Sequence, residues 1–177
     1  MKTRYEKLRL PLSRAASAVA VFFLLFTSSR WEGREPMVTT ALFTLGMVLV
    51  AIGSLGRMWC SVYIAGYKDR TLIPQGPYSV CRNPLYFFST FDARGVGCCT
   101  ETIPFPLAFL ALMIVYYPLV IRKEERRLRE YFGRDFDEYA QRVPVYFPRF
   151  SLLTEPETYT MKPTAYRRHM FSALWFV

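Results

Sequence analysis

Long apolar runs alternate with short polar, basic ones along this chain. The apolar runs cover residues 10–27, 37–64, 84–99 and 103–121. Each is read as a membrane-spanning helix, since about 20 apolar residues cross a hydrocarbon core of about 30 Å. The first starts like a signal peptide, with a basic end before a short apolar stretch. It then leads into Arg30-Trp31-Glu32 with no small-residue cleavage pattern, so a short span with snorkelling flanks fits better. At about 1.5 Å per residue the second run reaches about 40 Å, so it tilts or emerges at the interface, where Arg57 and Trp59 mark the boundary. Gly46, Gly53 and Gly56 let a neighbouring helix approach it closely. The third run is short and contains Asp92 and Arg94, which either pair with each other or face a polar cavity. The fourth contains Pro104, Pro106 and Pro118, tolerable where neighbours satisfy the freed carbonyls.

The polar breaks have patterns of their own. Thr71 to Tyr78 holds two prolines and a glycine and reads as turn and extended chain. Asn83-Pro84 starts a helix, with asparagine as cap and proline at the first helical position. From Arg122 a separate, charged amphipathic helix runs to Gly133. Asp135 caps a short helix that Pro144 ends, and Val145 to Phe150 is aromatic and extended. Residues 122–150 therefore form a cytoplasmic amphipathic segment, and 151–177 a weakly patterned tail with an apolar end suited to the interface. The fold class is all-α integral membrane protein, with about four transmembrane helices in one domain of 177 residues.

Composition and charge narrow the function. Apolar residues make up 52% of the chain, yet the formal charge is +9, with the basic residues between the apolar blocks. That is the arrangement of a membrane protein with Lys/Arg-rich cytoplasmic loops. No helix-turn-helix, zinc-finger or RNP-like pattern accompanies the charge, so no nucleic-acid partner is expected. The four cysteines make no C-x-x-C pair and the one histidine, His169, is in the tail, so no metal site is expected. The N-terminus, residues 67–82 and the chain from Arg122 onward are all basic, which places them together in the cytoplasm. Small size without a targeting segment suggests a bacterial inner membrane.

Two polar stretches then share one membrane face. Arg82 and Tyr86 lie four apart at a helix start, where backbone N–H groups attract an anion. Arg82 either grips a ligand carboxylate or anchors to lipid phosphate. Glu124 and Glu125 either receive a ligand cation or pair with Lys123, Arg126, Arg127 or Arg129. Tyr78, Tyr86, Tyr116 and Tyr117 fit an interfacial belt more readily than a ligand pocket.

The order G-P-Y-x-x-x-R-N-P-x-Y, then E-E-x-x-L-x-x-x-F-G-x-x-F-x-x-Y, then V-P-x-x-x-P-R resembles the isoprenylcysteine carboxyl methyltransferase family, and more loosely the phospholipid methyltransferases. The resemblance covers about Gly53 to Arg149. It implies an integral membrane enzyme that uses S-adenosylmethionine. It puts Tyr78, Arg82, Asn83, Pro84, Leu85, Tyr86 and Glu124 in the cofactor pocket. Glu125 would hold polar groups of cofactor or substrate, and Arg129 would meet a substrate carboxylate. Asn83 stands where that family usually has histidine, and it carries no charge. The implied partners are the lipid bilayer and a lipid-like or prenylated substrate.

A carboxylate is already a nucleophile near neutral pH, so methyl transfer to it needs neither a metal nor a core histidine. The alternatives are N-methylation of a phospholipid headgroup, with Glu125 as base, and a non-catalytic membrane protein binding lipid or a partner. A nicotinamide-dependent reductase, sharing part of the C-terminal pattern, stands third.

Overall fold

The computed structural model describes residues 36–65, 71–164, 166, 167 and 170. The expected first span, residues 10–27, the Lys68-Asp69-Arg70 loop and the apolar end of the tail lie outside them. Among the described residues every regular element is helical, and none is a strand. The helices are α1 (Pro36–Ile64), the single turn α2 (Pro77–Val80), α3 (Pro84–Cys99), α4 (Pro104–Phe132) and α5 (Arg134–Arg142), followed by a 3-10 turn at Phe150–Leu152.

Two of these, α1 and α4, are long and apolar enough to cross a membrane. Each has 29 residues, about 44 Å of helix. Leu45, Val48 and Leu55 of α1 and Leu112, Ile114, Val115 and Leu119 of α4 are exposed, as lipid-facing side chains are. The chain is thus membrane-like in its described part. α3 has 16 residues, about 24 Å, and packs along α1 on one side and α4 on the other.

The α1–α3 seam is close because small residues line it. A Cβ on Gly46 would come 2.7 Å from the Gly95 carbonyl oxygen, and one on Gly95 would come 2.7 Å from that of Gly46. The two backbones touch there. Gly53 leaves room for the Asp92 side chain, which is fully buried. Asp92 does not pair with Arg94. Residues two apart on a helix point to different faces, and Arg94 is exposed. Asp92 bonds across the seam instead, to Arg57 at 3.1 Å and to the Ser54 hydroxyl at 3.2 Å.

The charged stretch after the fourth apolar run is not a separate helix. α4 continues through it to Phe132, because no proline or glycine interrupts residues 119–132 and a change from apolar to charged side chains leaves the backbone bonds intact. Pro118 lies inside this helix without ending it. Gly133, at φ 51°, stops it and donates its N–H to the Arg129 carbonyl. α5 begins directly afterwards, so Asp135 sits in its first turn rather than at its cap. Phe136, Tyr139 and Val143 recur at helical spacing and are buried together, with Leu72, Leu128, Phe132 and Ala140 packed around them.

Candidate functional site

Three segments distant in sequence meet beside the start of α3. The first is the G-P-Y stretch itself. Gly76, at φ 58°, allows the turn into α2, and a side chain there would strike the Tyr63 ring. The second is the charged end of α4. The third is the chain after α5, which runs antiparallel to residues 76–82. Arg82 N–H donates to the Pro144 carbonyl, Arg149 N–H to Val80, and Gly76 N–H to Thr154, each at 2.8 or 2.9 Å. The extended aromatic segment therefore lies along this stretch, although it forms no strand.

Arg82 ties the three together. Its Nε donates to Glu125 at 2.9 Å and one terminal nitrogen to the same carboxylate at 3.4 Å. The other terminal nitrogen reaches the Ala140 and Val143 carbonyls at the end of α5. Those carbonyls carry the negative end of a helix dipole, which suits a cation. Arg82 was expected to grip a ligand or lipid anion; here its fork is turned onto Glu125.

Asn83 does not cap α3 with its side chain. Its amide donates instead to Glu125 at 3.3 Å and to the Val145 carbonyl at 3.0 Å. The two requests compete for one short side chain, and the inter-segment bonds win. Tyr86, one turn on, donates to Glu124 at 3.0 Å. Adjacent carboxylates on α4 thus receive different partners, Glu125 the Arg82–Asn83 pair and Glu124 a phenol.

Around these groups lies a cleft of about 340 Å³. Tyr78, Arg82, Asn83, Pro84, Leu85, Tyr86 and Glu124 all line it. Glu125 does not line it and sits behind, on Arg82 and Asn83. Arg129 does not line it either. It is exposed, pairs with Asp137 at 2.7 Å and stacks over Phe136.

Among the further lining residues, Arg57, Ser89, Arg127 and Tyr139 had not been singled out for the site. Arg57 was read as an interface marker, and the unmatched charge of Asp92 was the signal that could have found it.

Tyr78 is the unusual member. Its hydroxyl is buried and has no hydrogen-bond partner among the described residues, and burial raises its pKa well above the ordinary tyrosine value. A buried polar atom left unpaired costs stability and marks a place for a ligand or water. Its backbone carbonyl, by contrast, accepts from the Tyr139 hydroxyl at 2.7 Å. Burial likewise raises Tyr139, and it pushes the Cys81 thiol up to about 11. Cys81 is fully buried and donates to the Tyr146 carbonyl at 3.0 Å, so it packs rather than reacts.

Similarity to known proteins supports a family assignment. The profile of the phospholipid methyltransferase family matches residues 36–135, which include the cleft's α1, α3 and α4 walls. The cobalt-zinc-cadmium resistance protein CzcN of Cupriavidus metallidurans is 38% identical over 96% of this chain and 77% of its own length. The nickel-cobalt-cadmium resistance protein NccN of Alcaligenes xylosoxydans is 35% identical over 96% of this chain and 78% of its own. The protein-S-isoprenylcysteine O-methyltransferase B of Arabidopsis thaliana is 32% identical over 59% of this chain and 54% of its own. No solved structure matches. The chain belongs to the phospholipid methyltransferase family.

Proposed function

We propose that this protein transfers a methyl group from S-adenosylmethionine to a carboxylate of a lipid-like or prenylcysteine-type acceptor at the membrane surface. The observation that carries the reading is the buried Tyr78 hydroxyl, unpartnered among the described residues, in a cleft walled by both halves of the motif. The cleft volume falls within the usual range for small-molecule sites. Bound S-adenosylmethionine would supply a methyl group activated by its sulfonium.

The chain's own residues have separable tasks. Tyr78 offers a hydroxyl that no described residue satisfies and that a ligand or water can. Glu124 offers a carboxylate to a cationic group, with Tyr86 fixing its orientation. Arg82, Asn83 and Glu125 hold the α3 start, the α4 end and the α5 end in one geometry. Leu85 and Pro84 exclude water. A carboxylate nucleophile needs no base, so positioning and desolvation suffice for the acceptor.

The full reading has four spans, with the 76–86 stretch and the 122–150 segment facing the cytoplasm, in a bacterial inner membrane. The two exposed apolar helices and the basic residues between apolar blocks support it.

The family profile favours a second reading, N-methylation of a phospholipid headgroup. The base would then be Glu124, since both oxygens of Glu125 already accept from Arg82 and Asn83. The metals in the names of two relatives have no counterpart among the described residues, where no group of three or more His, Cys, Asp or Glu side chains gathers.

The test is calorimetric titration of S-adenosylmethionine into the full chain in detergent. Wild type should bind. Tyr78→Phe and Glu124→Gln should each bind about tenfold more weakly, the loss of one good hydrogen bond. No binding to folded wild type would overturn the reading.

A further inference from the structure

Among the described residues the cleft has three cationic side chains, and they differ in what holds them. All three guanidinium nitrogens of Arg82 are committed to Glu125 and the α5 carbonyls. Arg127 is exposed and lies over the Tyr131 ring at 5.6 Å. Arg57 comes from α1 and is largely buried, with a side-chain exposure of 13%. It borders the cleft with Ser61 and Ser89. Its Nη1 rests on an Asp92 that is itself completely buried and held on its other oxygen by Ser54. Gly53 leaves the space for that aspartate.

An ion pair buried between two apolar helices is a costly way to join them. Apolar residues of similar volume would serve as well or better. What Asp92 achieves is a fixed direction for the guanidinium at the cleft wall. A planar, fixed guanidinium is the side chain best matched to a carboxylate or a phosphodiester. Glu124 lines the same cleft with the opposite charge, so the cleft is bipolar.

We propose that Arg57, oriented by Asp92, is the specificity-determining residue that recognises the oxyanion of the methyl acceptor. This rests on the methyl-acceptor reading of the cleft and moves the acceptor's cationic contact from Arg129 to α1. The shared ligand chemistry is an oxyanion on a lipid-like molecule. It is a carboxylate in a prenylcysteine and a phosphodiester in a phospholipid.

Equilibrium binding with two matched pairs of probes tests this without turnover. One pair is N-acetyl-S-farnesylcysteine and its neutral carboxamide, added to the full chain in detergent. The other is phosphatidylethanolamine and diacylglycerol, presented in nanodiscs of neutral carrier lipid. Wild type should prefer the oxyanion-bearing member of one pair by at least about tenfold, and which pair it is assigns the source of the oxyanion. Arg57→Gln should reduce that preference to within about twofold.

Arg57→Gln leaves Asp92 buried without its cation and risks misfolding. Arg57→Met/Asp92→Asn removes both charges and keeps the Ser54 contact. It should keep a cooperative thermal unfolding transition in detergent, as wild type does, while losing the preference. A wild type with no preference in either pair overturns the proposal, as does a preference that survives in the double variant. A preference retained by a wild type that binds no S-adenosylmethionine would remove the methyl-transfer reading and leave the oxyanion site standing.

Discussion

Around the cleft, one arginine ties its own segment to two others; along the α1–α3 seam, glycines and one charge pair do the joining. Arg82 reaches Glu125 on α4 and two carbonyls on α5, while its own backbone is bonded to Pro144. The seam instead brings Gly46 against Gly95 and fits Asp92 beside Gly53. The difference follows from the surroundings. In lipid every helix is equally apolar, so close backbone approach and an occasional polar pair give helices their specificity. At the surface water competes for every polar group, and segments far apart in sequence need several directed bonds to stay together.

The largest expected effect breaks the first region. Arg82→Ala leaves Glu125 and two helix-end carbonyls without their cation. Removal of one partner of such a pair costs about 3–5 kcal/mol. Thermal unfolding in detergent should show the loss, and S-adenosylmethionine binding should vanish with it. Arg82→Lys should not restore it, because one ammonium cannot hold Glu125 and the α5 carbonyls at once. Near-normal stability in Arg82→Ala would show that the segments are held by packing alone.

The second region should respond to bulk rather than charge. Gly95→Ala puts a methyl group 2.7 Å from the Gly46 carbonyl oxygen and from the Val50 nitrogen. Both are backbone atoms, so the helices must separate. The cost should be about 1–3 kcal/mol, read from the same unfolding curves. Ligand affinity at the cleft should change far less than stability. A loss of affinity matching the loss of stability would mean that seam and cleft are one mechanical unit.

A smaller effect returns to the cleft. Tyr139→Phe removes the hydroxyl that bonds the Tyr78 carbonyl and keeps the ring packed on Phe136. It should cost about 1 kcal/mol. The Tyr78 side chain should then sit less firmly, and S-adenosylmethionine binding should weaken a few-fold in calorimetry.

Sequence reasoning located much of this, unevenly. Prolines and the Asn83-Pro84 pair mark where α3 and α4 begin, because proline restricts the backbone whatever surrounds it. The two motif halves were expected on one face and they line one cleft. Pairings between segments were not legible. Asn83 has the chemistry of a cap, but Glu125 and the Val145 carbonyl compete for its amide and win. The Arg82 fork was available to any anion, and no spacing rule says that the nearest is forty-three residues away. Asp92 looked toward Arg94 because they are neighbours in sequence, while helical geometry sends them apart. The continuity of α4 was hidden by composition: the side chains change character at Arg122, but the backbone has no reason to.

Arg129 is where sequence and structure part most clearly. The family resemblance gave it a substrate carboxylate. In the fold it is exposed, bonded to Asp137 and stacked on Phe136. A pair so open to water is worth little, so Arg129→Ala should shift stability by no more than about 0.5 kcal/mol. With any acceptor that proves to be turned over, KM should stay within about twofold, whereas Arg57→Gln should raise it about tenfold. The two substitutions remove the same charge from opposite settings, one held at a cleft wall by a buried aspartate and one on an open helix face. The reverse result would mean that Arg129 leaves Asp137 when the acceptor binds, and that the helix carrying Glu124 and Glu125 also supplies the acceptor's cation.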